Sequence, residues 1–334
     1  MPTNLPPEYF KIEEQYREAK SPAEKAALIE EMLRVIPKHK GTDRLRADLR
    51  RKLAKLKEAA QARKKTSRQE SAYSIVREGA GQAVLVGAPN VGKSALLAAL
   101  TNATPEVAEY SRTTWVPTPG MMPVENIQVQ LIDTPSLSRE FVEPQLIHLI
   151  RRADLLLLVV DLQTFPIEQL EEALEVLEAH RIMPRQWASK YDLTDRRLTL
   201  IPTLLVVNKV DHANWDADYE VLGELLRSDD VWDGPMVPVS ATTQYHVEQF
   251  KRAVFDGLEI VRVYAKPPGK TPDFSAPFVL RKGGTVEEFA GKVHQDFLEN
   301  MKAARVWGKS AQYDGQMVSR EHILCDGDVV ELRM

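Results

Sequence analysis

The sequence predicts an α/β core, a doubly wound and mainly parallel sheet, preceded by a helical region and followed by a small mixed α+β unit. Three observations predict it. Short apolar runs at 83–87, 127–133, 155–161 and 203–209 alternate with helical stretches. Strands apolar along their whole length belong to a parallel sheet covered by helices on both faces. A glycine-containing loop, 87–94, follows the first run directly and opens a helix. Helical spacing fills the first 75 residues, and strand and helix signals return after residue 275.

Taken in order, 8–19 is a polar helix, and Ser21, Pro22 and Glu24 begin the next. Serine can cap, proline suits the first helical position, and a glutamate three residues on can reach back. Ala27, Leu28, Met32, Leu33 and Ile36 then form an apolar stripe, which Pro37 and Gly41 stop. A second helix from about Thr42 carries Leu45, Leu49, Leu53 and Leu56, and the two are expected to pair as a hairpin. Residues 67–80 read as a linker into the core, and 266–272, rich in proline, as a second linker. Beyond it come a strand at 277–281, a helix opened by Thr285 with Glu288 three residues on, a strand near 305–307 and a last strand at 328–334. The expected domains are 1–75, 76–266 and 275–334, and there is no internal repeat.

The composition of the 334 residues, 43% hydrophobic and 28% charged, excludes a disordered chain and a membrane protein. The longest apolar run, 155–160, is six residues against the roughly 20 that span a bilayer. No basic start followed by an apolar stretch opens the chain, so a cytoplasmic location is expected. The one cysteine, Cys325, excludes an internal disulfide or a thiolate metal site and reads as a small core residue. Charge is uneven. Between positions 38 and 68 stand thirteen Lys or Arg against three acids, in a chain whose net charge is −4. Such a cluster suits a polyanionic partner, because clustered cations release counterions from a phosphate backbone.

The loop Gly87, Ala88, Pro89, Asn90, Val91, Gly92, Lys93, Ser94 fits G-x-x-x-x-G-K-S and leads into a helix at Ala95. Its glycines admit phosphates to backbone N–H groups, Lys93 offers a cation to the β- and γ-phosphates, and the Ser94 hydroxyl suits Mg²⁺. Asp133 ends the next strong strand, where a carboxylate would join the Mg²⁺ shell. Asn208, Lys209 and Asp211 follow a further strand. A carboxylate there accepts from the N1–H and 2-amino group of guanine, a donor pair that adenine lacks. Ser240 and Ala241, after another short strand, match a contact to the guanine oxygen. Together these elements imply a site for GTP or GDP. Residues 110–120, polar and rich in proline, are the expected switch, with Thr114 preferred to Thr113 as the group that binds Mg²⁺ and the γ-phosphate.

With these residues in view the chain resembles GTPases of the Obg and DRG (developmentally regulated GTP-binding protein) type. The resemblance covers nearly the whole chain: the basic stretch 36–57 is similar to the helical N-terminal region of DRG proteins, and LRKGGTVEEFAGKVH, RVWGKSAQ and DGDVVEL are similar to a TGS domain. It implies a P-loop GTPase fold with an N-terminal helical hairpin and a C-terminal ubiquitin-like β-grasp (TGS) domain. It also implies hydrolysis of GTP with Mg²⁺ and an association with RNA or the ribosome.

Four departures limit the transfer. Ser136 replaces the glycine of the phosphate-sensing D-x-x-G, Leu137 stands where Ras-like enzymes carry a water-orienting glutamine, and Arg112 stands where relatives often have phenylalanine. The stretch between Asp133 and Asn208 is too short for the large insert usual in DRG proteins. Leucine cannot orient water, so another group must, either K⁺ held by Asn90, Arg112 as an internal finger, or a helper protein. The catalytic set expected is therefore Lys93, Thr114 and Asn90, with Ser94, Thr114 and Asp133 around the metal. The rival reading is a nucleotide-gated RNA- or ribosome-binding module with negligible turnover of its own. A metabolic P-loop kinase comes third, because no acceptor-substrate motif stands beside the guanine-selecting Asp211, and attachment to a membrane is not expected.

Overall fold

A computed structural model describes residues 6–19, 22–37, 42–101, 116–139, 142–191 and 194–333, with side chains at 22–23 and 58–72 also left out. The chain divides into two compact units, Met1–Ser74 and Ile75–Met334.

The first unit holds α1 (Pro7–Glu18), α2 (Pro22–Val35) and α3 (Asp43–Tyr73). Ile29, Met32 and Ile36 lie against Leu49, with Leu45, Leu53 and Leu56 partly buried beside them. The expected pairing is therefore joined by a third helix, since Tyr9 and Ile12 of α1 complete the same core. The stripe on α2 is rotated from the one expected: Ala26 and Ile29 are buried and Ala27 is exposed. The linker expected at 67–80 is helical as far as Tyr73, because Ser and Gln there do not outweigh an unbroken run free of Gly and Pro. Ser21 and Gly41 lie outside the described residues. Arg44, Arg50, Arg51, Lys52 and Lys55 are exposed, whereas Arg46 is buried and donates to the Ile36 carbonyl at 2.9 Å.

The second unit opens with β1 (Gln82–Val86), α4 (Lys93–Leu100), β2 (Thr118–Val124), β3 (Ile127–Asp133), α5 (Pro144–Arg151), β4 (Leu155–Asp161) and α6 (Pro166–Ala179). A two-stranded side sheet, β5 (Ile182–Pro184) with β6 (Thr199–Ile201), precedes β7 (Thr203–Asn208), α7 (Asp216–Ser228), β8 (Met236–Pro238) and α8 (Val247–Gly257). The main sheet runs β2-β3-β1-β4-β7-β8 and is parallel except for the β2/β3 hairpin. Alternation along a strand explains its two covered faces. Ala83 and Leu85 of β1 pack with Leu96 of α4 and Phe250 of α8, while Val84 and Val86 point the other way and are equally buried. Residues 118–120, expected within the switch, instead begin β2, with Thr118 opposite Asp133.

The remaining elements are β9 (Ile260–Ala265), β10 (Phe278–Arg281), α9 (Val286–Val293), α10 (Gln295–Asn300), β11 (Ala303–Trp307), β12 (Gln316–Val318) and β13 (Asp328–Arg333). They form a second sheet, β10-β9-β13-β11-β12, whose central pair β9/β13 is parallel, with Phe289 of α9 in its core. This is the β-grasp arrangement expected. Thr285 caps α9 by accepting from the Glu288 N–H at 3.4 Å. The boundary differs from the one expected, because β9, ahead of the proline-rich segment, bonds to β10 and β13 and so belongs to the second sheet. Apolar alternation in 260–265 could not say which sheet it joins. Cys325 is half-buried rather than a core residue.

Arg262 of β9 ties the two sheets. Its guanidinium meets Asp326 through Nε at 3.0 Å and Nη2 at 2.8 Å, reaches Glu125 in the β2/β3 turn, and lies 4.8 Å from the Phe255 ring centre. Burial alone would raise the Asp326 carboxyl, but the hydrogen bonds and charge of Arg262 hold it below its ordinary value. A carboxyl held low in the folded state stabilises above its unfolded pKa, and that contribution goes as pH falls through the folded value. Arg262→Met is expected to cost about 2 kcal/mol at pH 7 in urea unfolding, by removing the two guanidinium hydrogen bonds to Asp326 and leaving that carboxylate only the residue-262 N–H. The difference should shrink from about pH 4 downward, and a difference independent of pH would contradict the pairing.

Candidate functional site

The polar residues of the motifs gather at one edge of the main sheet because each follows a strand that runs in the same direction. The 87–94 loop leaves β1, Asp133 ends β3, Asp161 ends β4, Asn208 ends β7, and Ser240 follows β8. In open parallel sheets this carboxyl edge is where ligands bind.

Local backbone shape dictates the glycines. Gly87 (φ 153°) runs so close to β4 that a Cβ would stand 2.3 Å from the Val159 carbonyl oxygen, and a Cβ on Gly92 (φ 94°) would stand 2.2 Å from Asn208 Nδ2. Asn90 takes φ 63° at the exposed tip, a conformation that asparagine tolerates. Pro89 and Ala95 are exposed beside it, Ala88 is half-buried and Val91 is buried.

Lys93 is buried at the start of α4. Its Nζ donates to the carbonyls of Gly87 (3.1 Å) and Ala88 (2.8 Å) and to Ser136 Oγ (3.2 Å). Burial pushes its pKa down to about 8, against the pull of the Asp133 charge. Asp133 itself is raised by burial, opposed by donation from Ser94 Oγ at 2.5 Å and by Lys93. Its Oδ1 is buried with no hydrogen-bond partner among the described residues. Leu137 is buried, and its N–H donates to the Gly87 carbonyl at 3.2 Å, so the D-T-P-S segment is tied to the loop at both Ser136 and Leu137.

At the other end of the edge, Asn208 turns toward the loop. Its Nδ2 donates to the Val91 carbonyl at 2.8 Å and its Oδ1 accepts the Ala241 N–H at 3.3 Å. Lys209 (φ 65°) pairs with Asp161 Oδ2 at 2.5 Å. Half-buried Asp211 accepts from Ser240 Oγ at 2.7 Å through Oδ1 and from Gln163 Nε2 at 2.9 Å through Oδ2. Thr243 Oγ1 donates to the Asp211 carbonyl at 2.9 Å, and its N–H donates to Ser240 Oγ at 3.1 Å.

The loop, Asp133, Asn208, Lys209, Asp211, Ser240 and Ala241 are thus brought to one edge. Thr113, Thr114 and Arg112 lie outside the described residues. Sequence reasoning missed Asp161, Gln163 and Thr243. Asp161 could have been found as the polar residue closing an apolar strand, as Asp133 and Asn208 do, whereas Gln163 and Thr243 sit in turns with no motif to mark them. No helix among the described residues is long and apolar enough to cross a membrane.

Two family models match the chain, "50S ribosome-binding GTPase" over residues 82–209 and "TGS domain" over 261–334. A GTP-binding protein of Methanocaldococcus jannaschii is 31% identical, with 91% of this chain and 90% of that protein covered. The protein named ribosome-interacting GTPase 1 of Saccharomyces cerevisiae is 27% identical over 92% of this chain and 98% of its own length. Developmentally-regulated G-protein 2 of Arabidopsis thaliana is 27% identical over 88% and 87%.

The close approach of Gly92 to Asn208 yields a stability comparison. Gly92→Ala combines a left-handed backbone with a collision, whereas Gly269 (φ 72°) has nothing within 4 Å of an added Cβ. Gly269→Ala should cost about 1 kcal/mol, and Gly92→Ala about 2 kcal/mol more in chemical unfolding. Equal costs would mean that Asn208 yields freely.

Proposed function

Because the chain belongs to the DRG-type GTP-binding proteins that end in a TGS domain, we propose that it hydrolyses GTP and acts as a switch whose triphosphate state engages the ribosome. One observation carries the reading. The guanine-type acceptor Asp211 and the phosphate-type group of Lys93, Ser94 and Asp133 stand on one sheet edge, joined by the Asn208 to Val91 hydrogen bond.

In this reading the backbone from Gly87 to Ala95 cradles the phosphates, and Lys93 leaves its carbonyl partners for the β- and γ-phosphates, whose charge favours its protonated form. Asp211 accepts from guanine N1–H and the 2-amino group, a role in which guanine takes the place of Gln163 at Oδ2. Ser240 keeps that carboxylate oriented, Ala241 offers its backbone to the guanine oxygen, and Lys209 borders the base beside Asp161. Asn208 positions the loop. The donor set suits Mg²⁺, a hard cation that takes oxygen ligands: a serine hydroxyl lies against a carboxylate whose second oxygen is buried without a hydrogen-bond partner among the described residues. Ser94 and Asp133 would hold it, with Thr114 from the switch, and when bound it neutralises phosphate charge.

Water attacks the γ-phosphorus, the bond to the β-phosphate oxygen breaks, and GDP and phosphate leave. Leu137 has no side-chain polar atom for that water. In this reading Asn90, at the exposed tip of the loop, would hold K⁺ beside the phosphates, and the cation's charge would offset the transition state. Turnover of GTP should then be faster in K⁺ than in Na⁺, and Asn90→Ala should remove the difference. Equal rates in the two salts would end the K⁺ assignment, and no turnover in either would favour the nucleotide-gated binding module or a helper protein that supplies the missing group.

The ribosome is proposed as partner on two grounds, the yeast relative's name and the exposed cations of α3 from Arg44 to Lys55. A cytoplasmic location follows from that partner. Co-sedimentation with ribosomes should be stronger with a non-hydrolysable GTP analogue than with GDP and should weaken as salt rises. No sedimentation in either state would remove the ribosome from the proposal.

A further inference from the structure

The parallel strands of the main sheet begin at the edge opposite the motif residues, and there the second sheet lies beside them. Between the two is a cleft of about 450 Å³, within the size range of small-molecule sites. We infer that this cleft binds a small phosphate-bearing organic molecule, held between the two sheets at the end remote from the guanine-nucleotide site.

Charge is the first ground. Arg77, Arg185, Arg281, Lys282 and Lys292 line the cleft against three acids, Glu78, Asp154 and Glu259. The pairing inside it leaves the cations under-compensated. Arg77 Nη1 and Arg281 Nη2 approach the same Asp154 Oδ1, each at 3.1 Å, while Oδ2 of that carboxylate accepts the Gln82 N–H at 3.0 Å. One negative charge therefore faces two guanidiniums, Arg77 from the segment ahead of β1, which also donates to the neutral Arg152 carbonyl, and Arg281 from β10. Arg185 meets Glu259 at 2.6 Å, and Lys292 donates to the neutral Val279 carbonyl. A phosphate dianion supplies the charge that Asp154 does not, and the planar guanidinium fork matches its oxygens two at a time.

Shape is the second ground. Half-buried Val279 lines the wall beside the cations, backed by the core residues Leu258 and Ile260, so an organic body has an apolar surface next to the place where its phosphate would sit. The side chains come from the entries to β1, β4 and β9, the turn after β5, the end of β10 and α9. A ligand bridging them would couple the two sheets directly. None of these groups belongs to the guanine-nucleotide machinery, and the inference stands whether or not that machinery hydrolyses GTP.

The probe is adenosine 5′-monophosphate, titrated calorimetrically into the full chain already saturated with GDP and Mg²⁺, with adenosine as the control lacking the phosphate. The expected result is one AMP per chain, roughly tenfold tighter than adenosine and weakened by salt. Arg281→Ala with Lys282→Ala should lower AMP affinity by roughly tenfold or more. Both side chains are exposed, so an unchanged melting temperature will show that the fold is retained. Lys93→Ala, which disables the phosphate loop, should leave AMP binding intact. The inference is overturned if AMP and adenosine bind alike, if no AMP binds at millimolar concentration, or if Lys93→Ala abolishes binding that the double variant retains.

Discussion

A single buried amide holds the candidate site together. Asn208, the last residue of β7, donates to the Val91 carbonyl in the phosphate-type loop and accepts from the Ala241 N–H beyond β8. Three segments far apart in sequence thereby share one side chain that is 1% exposed. A buried amide satisfied on both its oxygen and its nitrogen is stiff, because losing either partner strands a polar atom away from water. Gly92 is the other half of the constraint: the amide can reach the loop only because no Cβ stands between them.

The polar groups around this amide mostly satisfy one another. Lys93 spans two carbonyls and a hydroxyl, Ser94 lies on Asp133, and Gln163 covers one oxygen of Asp211. Buried charges need such partners, since an unpaired ion in a low-dielectric site is costly. On the proposed reading each contact is also one that a phosphate, a cation or a base would replace, so binding would be an exchange of partners. Asp133 Oδ1 is the exception, a buried oxygen with no hydrogen-bond partner among the described residues.

Among the described residues, the two larger sheets of the second unit meet through charge at Arg262 and at Asp154. Arg262 is nearly enclosed, with bidentate contact to Asp326 and an aromatic ring against it. Asp154 is more open and is shared between Arg77 and Arg281. The first suits a fixed joint, because the largely buried Arg262 guanidinium is held by two carboxylates, Asp326 and Glu125, at once. The second keeps unbalanced positive charge within reach of solvent.

Much of this was legible in the sequence. The apolar runs determined the parallel core strands, because a strand buried on both faces has few polar positions, and G-x-x-x-x-G-K-S between strand and helix determined where phosphates would meet backbone N–H groups. Asp133, Asn208, Asp211 and Ser240 were legible for the same reason, as polar residues just after apolar strands. Tertiary structure alone decided the rest. That β9 joins the second sheet, that α1 completes the helical core, that Asn208 faces the loop, and that Gln163 covers Asp211 all depend on pairings between residues distant in the chain. Periodicity reports which face of an element is apolar, and cannot report which neighbour covers it. The cleft at the opposite edge belongs to the same class. Its cations are spread from Arg77 to Lys292, and only tertiary packing lines them along one cleft and sets two of them, Arg77 and Arg281, on one carboxylate.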